Sequence, residues 1–568
     1  MIHPGEKFYP QGVRWDDPIT RGTLPDLLST AAAEFAARPV IEFRDRPISY
    51  AELEAMVEVA ASAFLRAGYG KNSSVALFLG NSPDHPVNFF GALKAGARVV
   101  HLSALDGEIA LSHKLTDSGA RILVTSNLAT LLPMALKFLE KGLLDRLIVC
   151  EDDDWGAVGN PHTPIPSHPA IVTYKAFVQG ATAPAQWPSI SADDVALLQY
   201  TGGTTGFPKG AMLSHGNLTS AVSIYDVWGK PARAQRDAIE RVICVLPLFH
   251  IFALTVVLLS SIRRGHLISL HQRFDVEAVM RDIEVKRATA FPGVPTMWIA
   301  IASLPDLESR DLSSLVSCGS GGAPLPVEVA RIFERKVKMK LKSGWGMTET
   351  CSPGTGHPSE GPDKPGSIGL MLPGIELDVV SLDDPGKVLP TGGVGEIRIK
   401  GPNVTKGYWN RPKETAEAFV GDRFLTGDIG YMDEDGYFYL VDRKKDMIIS
   451  GGFNVYPQMI EQAIYTHPAV QEVLVIGIQD DYRGEAAKAF VKLRAGADPF
   501  TLEQLKAFLA GKLGKHEIPA ALDFVDELPR TSVGKLSRHE LRIKQPSKQS
   551  SEPLAPSKQQ QLATGGRS

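Results

Sequence analysis

The first 150 residues alternate between amphipathic stretches and short apolar runs. Apolar residues recur at helical spacing over 24–70, which predicts helix there. The run at 74–79 predicts a buried strand, and 89–97 predicts a helix. Further strand-like runs follow at 98–102, 121–125 and 146–150. Strands that alternate with helices in this way predict an α/β architecture with largely parallel sheets.

The same alternation continues beyond residue 188 and then changes near residue 443. A Pro-, Ala- and Thr-rich stretch at 152–188 predicts a surface connection. Later runs predict strands at 195–200, 211–213, 242–246, 288–293 and 315–322, a helix at 295–302, and half-exposed strands of a small β region at 396–400 and 437–441. Beyond 443 the predicted elements are helices at 457–466 and 501–514 and strands at 472–478, 488–493 and 522–525.

These patterns predict two folded domains and a tail. Residues 1–442 are expected to form a large N-terminal domain of mixed, mostly parallel sheets with helices and a small β region. Residues 443–545 are expected to form a smaller, mobile α+β domain. Residues 546–568 are polar and rich in Ser, Gln and Lys, which predicts a disordered tail that buries little surface.

Composition narrows the class of protein. Apolar residues make up 43% and charged residues 22% of the chain, as in soluble globular proteins. The net charge of −4 indicates neither a nucleic acid nor an anionic membrane as partner, and the apolar runs are too short to span a bilayer. The cysteines are scattered without a CxxC pair, which favours buried thiols in a cytoplasmic protein over disulfides or a zinc site.

A glycine- and threonine-rich loop follows the predicted strand at 195–200. Its candidate ligand-binding residues are Thr201, Gly202, Gly203, Thr204, Thr205, Gly206 and Lys209. Backbone N–H groups, hydroxyls and one cation together suit a polyphosphate. The loop is not the usual nucleotide P-loop, because Gly210 follows Lys209 where Ser or Thr is expected. The alternative is an ordinary turn between two strands.

Other loops carry chemistry suited to a nucleotide. Trp345 lies between two glycines and is able to stack on a purine, and Thr348 offers a hydroxyl to a phosphate. Glu349 is a hard oxygen ligand suited to Mg²⁺. Asp428 follows a glycine, where a carboxylate can accept both hydroxyls of a ribose. Taken singly, a tryptophan in a tight turn is more often core, and an aspartate after glycine is more often a solvated turn residue.

Two further candidates are ambiguous by themselves. Lys535 follows a glycine on what the sequence predicts to be an exposed loop near the end of the ordered chain, where a lysine can reach into a cleft. His250 lies among aromatic and aliphatic residues, and its default interpretation is a core histidine. The charged run at 441–446 resembles the solvated faces that most such runs form.

Together, and in this order, these loops resemble the acyl-adenylate-forming superfamily of acyl-CoA synthetases, adenylation domains and firefly luciferases. The resemblance covers roughly residues 20–543. Segment 247–255 and the four apolar residues after it resemble bacterial medium- and long-chain fatty acyl-CoA ligases. The resemblance to the superfamily implies an AMP-forming acid–CoA ligase that uses ATP and CoA as co-substrates and Mg²⁺ as cofactor. The implied reaction passes through an acyl-AMP intermediate.

The resemblance also implies roles for single residues. Those implied for the nucleotide are Thr201 to Lys209 on the β and γ phosphates, Gly322, Ala323, Pro324 and Trp345 around the adenine, Thr348 on the α-phosphate, Glu349 on magnesium, and Asp428 and Arg443 on the ribose. Those implied for the rest of the reaction are His250 and Lys535 as catalytic residues, Lys445 as the hinge, and Gly451, Gly452 and Phe453 on the pantetheine path. Gly202 departs from the serine common at its position, so altered ATP binding is expected.

Several alternatives stay open at the level of sequence. Arg263 and Arg264 offer a partner for a distal carboxylate, so a pimelate-type dicarboxylate competes with a monocarboxylic acid; alternatively the two arginines end a helix. A carrier-protein loading enzyme, a luciferase-type oxygenase and a non-catalytic regulator share parts of the pattern. The expected exposure of Lys535 makes it a candidate for acetylation, with an acetyltransferase and a deacetylase as partners.

Overall fold

The structure of the chain is a computed structural model. It describes residues 4–201, 208–234, 239–323, 325–358, 360–362, 364–480, 482–531 and 535–544, without side chains at 231–234, 543 and 544. The predicted tail at 546–568 lies outside the described residues.

The first sheet occupies the N-terminal third of the chain. Its strands, in spatial order, are Ile171–Thr173, Arg146–Cys150, Ile122–Ser126, Ser74–Phe78, Arg98–His101, Val195–Thr201 and Lys209–Ser214. Neighbouring strands run parallel except for the last pair, which is antiparallel and lies on either side of the glycine- and threonine-rich segment in the chain. The central strands Ser74–Phe78 and Ile122–Ser126 are completely buried, as expected for a parallel sheet covered on both faces.

The second sheet changes character along its length. Its spatial order is Glu376–Val380, Gly395–Lys400, Arg423–Met432, Phe438–Arg443, Ser367–Met371, Thr355–Gly356, Lys342–Trp345, Ser317–Ser320, Ala290–Gly293, Arg241–Cys244, Leu267–Leu270, Pro39–Phe43 and Arg46–Ser49, with Phe419–Val420 beside Arg423–Met432. The strands from Lys342–Trp345 to Pro39–Phe43 are parallel. The remaining pairs are antiparallel and include the predicted small β region.

A third, mostly antiparallel sheet begins after Arg443. Its strands are Phe453–Val455, Ile448–Ser450, Gly484–Leu493 and Val470–Asp480, with Ala521–Phe524 parallel to Gly484–Leu493. It buries a core of its own, in which Ile460, Val475 and Leu505 are inaccessible to solvent. The predicted α/β class with mixed sheets is therefore confirmed, while the domain boundary at 442–443 stays a prediction.

The helices cover the faces of these sheets. The α-helices are Leu24–Phe35, Tyr50–Arg66, Asp84–Lys94, Glu108–Ser118, Leu132–Glu140, Tyr174–Val178, His215–Ala234, Ser260–Arg264, Val276–Glu284, Pro295–Ala302, Val327–Val337, Pro412–Glu417, Pro457–Tyr465, Leu502–Leu509 and Arg538–Lys544. Ala253–Leu259 is a π-helix, and Glu6–Phe8, Asp152–Trp155, Leu307–Ser309 and Thr348–Thr350 are short 3₁₀ helices. Within the described part of the chain, no helix is both long and apolar enough to cross a bilayer.

Some predicted elements were wrong. The stretch 24–70 is not continuous helix, because Pro39–Phe43 and Arg46–Ser49 form a hairpin between two helices. Arg44 and Asp45 have φ angles of 53° and 59°, the left-handed pair that a tight two-residue turn requires. The predicted connection at 152–188 contains Ile171–Thr173 and a short helix, and the helix predicted over 501–514 ends at Leu509. The four cysteines are free and buried, as expected.

Candidate active site

A cleft of about 1930 Å³ lies between the large N-terminal part of the chain and the segment after residue 445. Strands Ala290–Gly293, Ser317–Ser320 and Lys342–Trp345 are parallel, so their carboxyl ends meet at one edge, and residues that follow them line the cleft. This edge is where open α/β sheets bind their ligands. Among the candidates, Thr201, Lys209, Gly322, Ala323, Trp345, Thr348, Glu349, His250, Asp428, Arg443, Lys445 and Lys535 all line this cleft.

Lys535 reaches into the cleft beside Gly322. A Cβ atom built on Gly322 would lie 2.6 Å from Cε and 3.0 Å from Nζ of Lys535, so a side chain at this position would displace the end of the lysine. Gly322 also has a φ of 79°, which other residues rarely adopt. The predicted exposure of Lys535 was wrong for this arrangement, because the side chain lies within the cleft. Burial, aided by the charge of Arg443, lowers the pKa of Lys535 to about 8.

Asp428 connects two other candidates. It is the cross-strand neighbour of Arg443 in an antiparallel pair, and Arg443 Nε lies 2.9 Å from Asp428 Oδ1. Its second oxygen, Oδ2, accepts a 2.7 Å hydrogen bond from the indole Nε1 of Trp345. The carboxylate is almost completely buried, whereas Arg443 is half exposed. The expected adenine platform and ribose anchor are thus joined directly.

Glu349 is buried at the cleft wall, and Tyr408 was missed by the sequence analysis. The Tyr408 hydroxyl donates a 2.9 Å hydrogen bond to Oε1 of Glu349, and burial raises the pKa of that carboxyl. Lys209 Nζ lies 5.1 Å from the centre of the Tyr408 ring. Tyr408 therefore links the candidate magnesium ligand to the cation of the phosphate loop. No local motif marks Tyr408, because the residue reaches the site only through long-range folding.

His250 is not an isolated core residue, since it lines the cleft. Burial and the positive charge of Lys535 lower its pKa to about 3. Its Nδ1 accepts a 3.2 Å hydrogen bond from the backbone N–H of Phe252. His250 is therefore a neutral imidazole near pH 7, with Nε2 carrying the proton.

The hinge candidate Lys445 lies in a tight turn whose N-terminal side is firmly held. The two oxygens of Glu396 accept from the backbone N–H of Gly427 at 3.0 Å and from Lys444 Nζ at 2.9 Å. Lys444 N–H also donates to the Gly427 carbonyl at 2.8 Å. The large sheet is therefore fixed up to Lys444, immediately before Lys445.

Some candidate residues do not line the cleft, and others lie outside the residues that the structure describes. Gly451, Gly452 and Phe453 are exposed and are not among the described residues that line the cleft; Phe453 stacks on His516. Gly202, Gly203, Thr204, Thr205, Gly206 and Pro324 lie outside the described residues.

The two arginines considered for a distal carboxylate do not serve that purpose here. Arg264 is paired with Asp226 at 3.1 Å and donates to the Tyr225 carbonyl at 2.7 Å. Arg263 is exposed, and neither arginine belongs to the described wall of the cleft. Both close the helix Ser260–Arg264, which was the alternative interpretation.

Comparison with known protein families decides the identity of this fold. The model of the AMP-binding enzyme family matches residues 28–409, and that of the AMP-binding enzyme C-terminal domain matches 459–535. The chain belongs to the AMP-binding enzyme family. Both matched segments contribute residues to the cleft, including Trp345 from the first and Lys535 from the second.

Individual members of this family resemble the chain over most of its length. A long-chain-fatty-acid–CoA ligase of Bacillus subtilis (strain 168) is 36% identical over 94% of this chain and 96% of its own. A feruloyl-CoA synthase of an Amycolatopsis species is 37% identical over 87% of this chain and 93% of its own. The structure of o-succinylbenzoate coenzyme A synthetase from Bacillus subtilis, in complex with ATP and magnesium ion, has a TM-score of 0.76 and 27% identity, covering 91% of this chain and 99% of that one.

Proposed function

We propose that this AMP-binding enzyme is an AMP-forming acid–CoA ligase that converts a medium- or long-chain carboxylic acid to acyl-CoA through an acyl-AMP intermediate. The observation that carries the proposal is the meeting of Lys535 with Trp345, Asp428, Arg443 and Glu349 in one cleft. The similarity to a long-chain-fatty-acid–CoA ligase over almost the whole chain supports it.

The charges in the cleft suit attack of a carboxylate on the α-phosphate of ATP. Both groups are anionic, so their approach requires positive charge between them, which the Lys535 ammonium supplies. We propose that the Trp345 ring binds the adenine and that Asp428 with Arg443 binds the ribose, and the contacts that join these three side chains at the cleft wall support this. These contacts orient ATP so that the lysine faces the reacting centre.

The residues present fit a magnesium ion. Glu349 is one buried carboxylate at the cleft wall, and Mg²⁺ in nucleotide sites is commonly held by one or two carboxylates together with phosphate oxygens. We propose Glu349 as its protein ligand, with Tyr408 fixing the carboxylate through Oε1. When bound, the ion neutralises charge on the phosphates.

The second half-reaction requires another arrangement of the same chain. Lys535 occupies the cleft while Gly451, Gly452 and Phe453 face solvent, so the two sets do not act together in this arrangement. We propose that residues 446–545 turn about Lys445 after acyl-AMP has formed. The turn withdraws Lys535 and brings the glycine loop to the pantetheine of CoA.

The proposed acid is an unbranched monocarboxylate. The residues that line the cleft include aromatic and aliphatic side chains, among them Tyr225, Trp228, Phe252, Val256 and Ile299. Neither Arg263 nor Arg264 lies in the described wall of the cleft, and Arg264 is paired with Asp226, which supports a monocarboxylate over a dicarboxylate. The similar feruloyl-CoA synthase makes an aromatic acid the second candidate.

A pyrophosphate-release screen tests the proposal. The acids are monocarboxylates and α,ω-dicarboxylates of increasing length together with ferulate, each with ATP, Mg²⁺ and CoA. We expect the highest kcat/KM for a medium- or long-chain monocarboxylate, and acyl-CoA with AMP as products. Absence of acyl-CoA with every acid would refute the ligase assignment. A preference for ferulate would show that the substrate is an aromatic acid and not a medium- or long-chain monocarboxylate.

We also propose that acetylation of Lys535 regulates the enzyme and that the enzyme is cytoplasmic. Acetylation would remove the charge that Lys535 supplies, but an acetyltransferase needs the lysine outside the cleft, as after the turn about Lys445. Mass spectrometry of cellular protein, with activity measured before and after deacetylase treatment, tests this. The free, buried cysteines agree with a cytoplasmic location.

A further inference from the structure

Arg538, just after Lys535 in the chain, is the centre of a buried charge network. Its Nη1 lies 3.1 Å from Asp442 Oδ1 and 3.4 Å from Asp446 Oδ2. Its Nε and Nη2 donate to the two oxygens of Glu461 at 3.0 and 2.6 Å, a bidentate pairing. The side chains of Asp442 and Arg538 are 0% and 14% exposed. The segment that carries Lys535 is therefore anchored through Arg538.

The carboxylates of this network lie on different sides of the hinge. Asp442 precedes Lys445 and belongs to the strand that ends at Arg443, whereas Asp446 and Glu461 follow the hinge. The other oxygen of Asp442 accepts a 2.8 Å hydrogen bond from the backbone N–H of Gln458, which also follows the hinge. Both oxygens of Asp442 thus hold the C-terminal segment.

A turn about Lys445 affects these contacts differently. The pairing of Arg538 with Glu461 can move as a unit with the C-terminal segment. The contacts of Asp442 with Arg538 and Gln458 join the two sides and have to break. A contact present in only one orientation stabilises that orientation relative to the other.

We propose that Asp442 and Arg538 form a latch across Lys445 that keeps Lys535 in the cleft, which makes Asp442 a positioning residue for adenylation alone. The proposal rests on the ligase function and adds a residue to it. Asp442 acts through the placement of Lys535 and needs no contact with the substrate.

The latch predicts a split between the half-reactions in full-length Asp442→Asn. ATP–pyrophosphate exchange, with the acid selected in the screen, is expected to fall roughly tenfold or more, because a buried arginine loses one of its charge partners. Thioester formation from supplied acyl-AMP and CoA is expected to stay within about twofold of wild type, or to rise, because the latch must open for it. This second rate also shows that the variant is folded. Equal loss in both half-reactions, or unchanged exchange, would overturn the proposal.

Arg542→Gln is the matched control. Arg542 lies on the same helix as Arg538 and pairs with Asp446 at 2.9 Å, but both members of this pair follow Lys445. We expect it to leave the ratio of the two half-reactions unchanged. A shift in that ratio equal to that of Asp442→Asn would show that the network as a whole, and not the contact across the hinge, matters.

A measurement without substrates separates the latch from the ligase function. Loss of the latch should increase the rate of trypsin cleavage after Lys444 and Lys445 in Asp442→Asn, but not in Arg542→Gln. Unchanged cleavage would count against the latch even if the ligase assay succeeds. Conversely, faster cleavage together with failure on every acid would retain the latch and refute the proposed function.

Discussion

The indole Nε1 of Trp345 donates a 2.7 Å hydrogen bond to Oδ2 of the buried Asp428 carboxylate. The two residues are distant in sequence but adjacent in the wall of the cleft. Arg443 engages the other oxygen of the same carboxylate. Trp345 therefore orients the Asp428 carboxylate, and in the proposed function its ring also contacts the adenine.

Replacing Trp345 with phenylalanine separates these roles. Phenylalanine keeps an aromatic face but loses the hydrogen bond to a charged acceptor, which is worth about 1.5–3 kcal/mol. We expect the KM for ATP to rise about tenfold while the KM for CoA changes little. Trp409→Phe is the control, since its indole donates to the Asp117 carbonyl at 3.1 Å, away from the described cleft wall. An unchanged KM for ATP in Trp345→Phe would show that Asp428 does not depend on the indole.

Lys535→Ala tests whether the positive charge of Lys535 is needed when the carboxylate of the acid approaches the α-phosphate of ATP. Alanine removes the ammonium beside Gly322, and loss of one group that stabilises the transition state electrostatically commonly costs about 10²–10³ in rate. We expect ATP–pyrophosphate exchange to fall by at least that factor and CoA transfer from supplied acyl-AMP to be largely retained. Equal loss of both half-reactions would contradict the role assigned to Lys535.

The pH dependence of adenylation follows from the same lysine. Burial lowers the pKa of Lys535 to about 8, so the ammonium form predominates below that pH and is lost above it. We expect kcat/KM for exchange to fall as pH rises through about 8, since this quantity reports the free enzyme. Bound anions favour the charged form, so the corresponding limb of kcat should lie at higher pH.

Lys535→Arg is the control for this assignment. A guanidinium stays protonated throughout the range, so the limb near pH 8 should disappear from the kcat/KM profile even if the rate is reduced. A limb that persists in Lys535→Arg would belong to another group. The neutral His250, whose pKa lies near 3, does not titrate in this range.

The candidate site was predictable where its chemistry is local. Trp345, Glu349 and Asp428 each lie in a short stretch of recognisable composition, and the fold brings all three to one cleft. Tyr408 was not predictable, because its partner Glu349 is distant in sequence. Asp442 was visible only as part of the charged run at 441–446, and the expectation of a solvated face was wrong for it, because its side chain is 0% exposed and pairs with Arg538. The hairpin within 24–70 was missed for another reason. Apolar residues are also frequent in its two strands, which the turn at Arg44–Asp45 joins, so apolar content alone does not distinguish the hairpin from the neighbouring helices.

Lys445→Pro should have the opposite effect from Lys535→Ala. Proline fixes φ near −65° and stiffens the turn that follows the firmly held Lys444. We expect adenylation to persist and thioester formation to fall, because only the second step needs the C-terminal segment to rotate about Lys445. A variant that completes the whole reaction at the wild-type rate would show that the chain does not pivot at Lys445. Lys387→Ala is the control, because Lys387 lies in an exposed loop.

The length of the acid should be set by the apolar part of the cleft. Each methylene buried there gains about 0.8 kcal/mol, so kcat/KM should rise several-fold per carbon until the slot ends and then fall sharply. A terminal carboxylate buried without a partner costs several kcal/mol, so at each chain length kcat/KM should be higher for the monocarboxylate than for the dicarboxylate. A dicarboxylate whose kcat/KM equals or exceeds that of the monocarboxylate would contradict this assignment.

Gly319→Val should shorten that slot. A Cβ atom on Gly319 would meet no atom within 4 Å, so the added side chain has room and projects into open space at the cleft wall. At Gly321, by contrast, a Cβ atom would lie 2.8 Å from the Phe252 ring and force that ring to move. We expect Gly319→Val to lower kcat/KM for the longest accepted acids and to spare shorter ones, with the KM for ATP unchanged. A uniform loss across all chain lengths would indicate that Gly319 faces the reacting carboxylate or the nucleotide instead of the acyl chain.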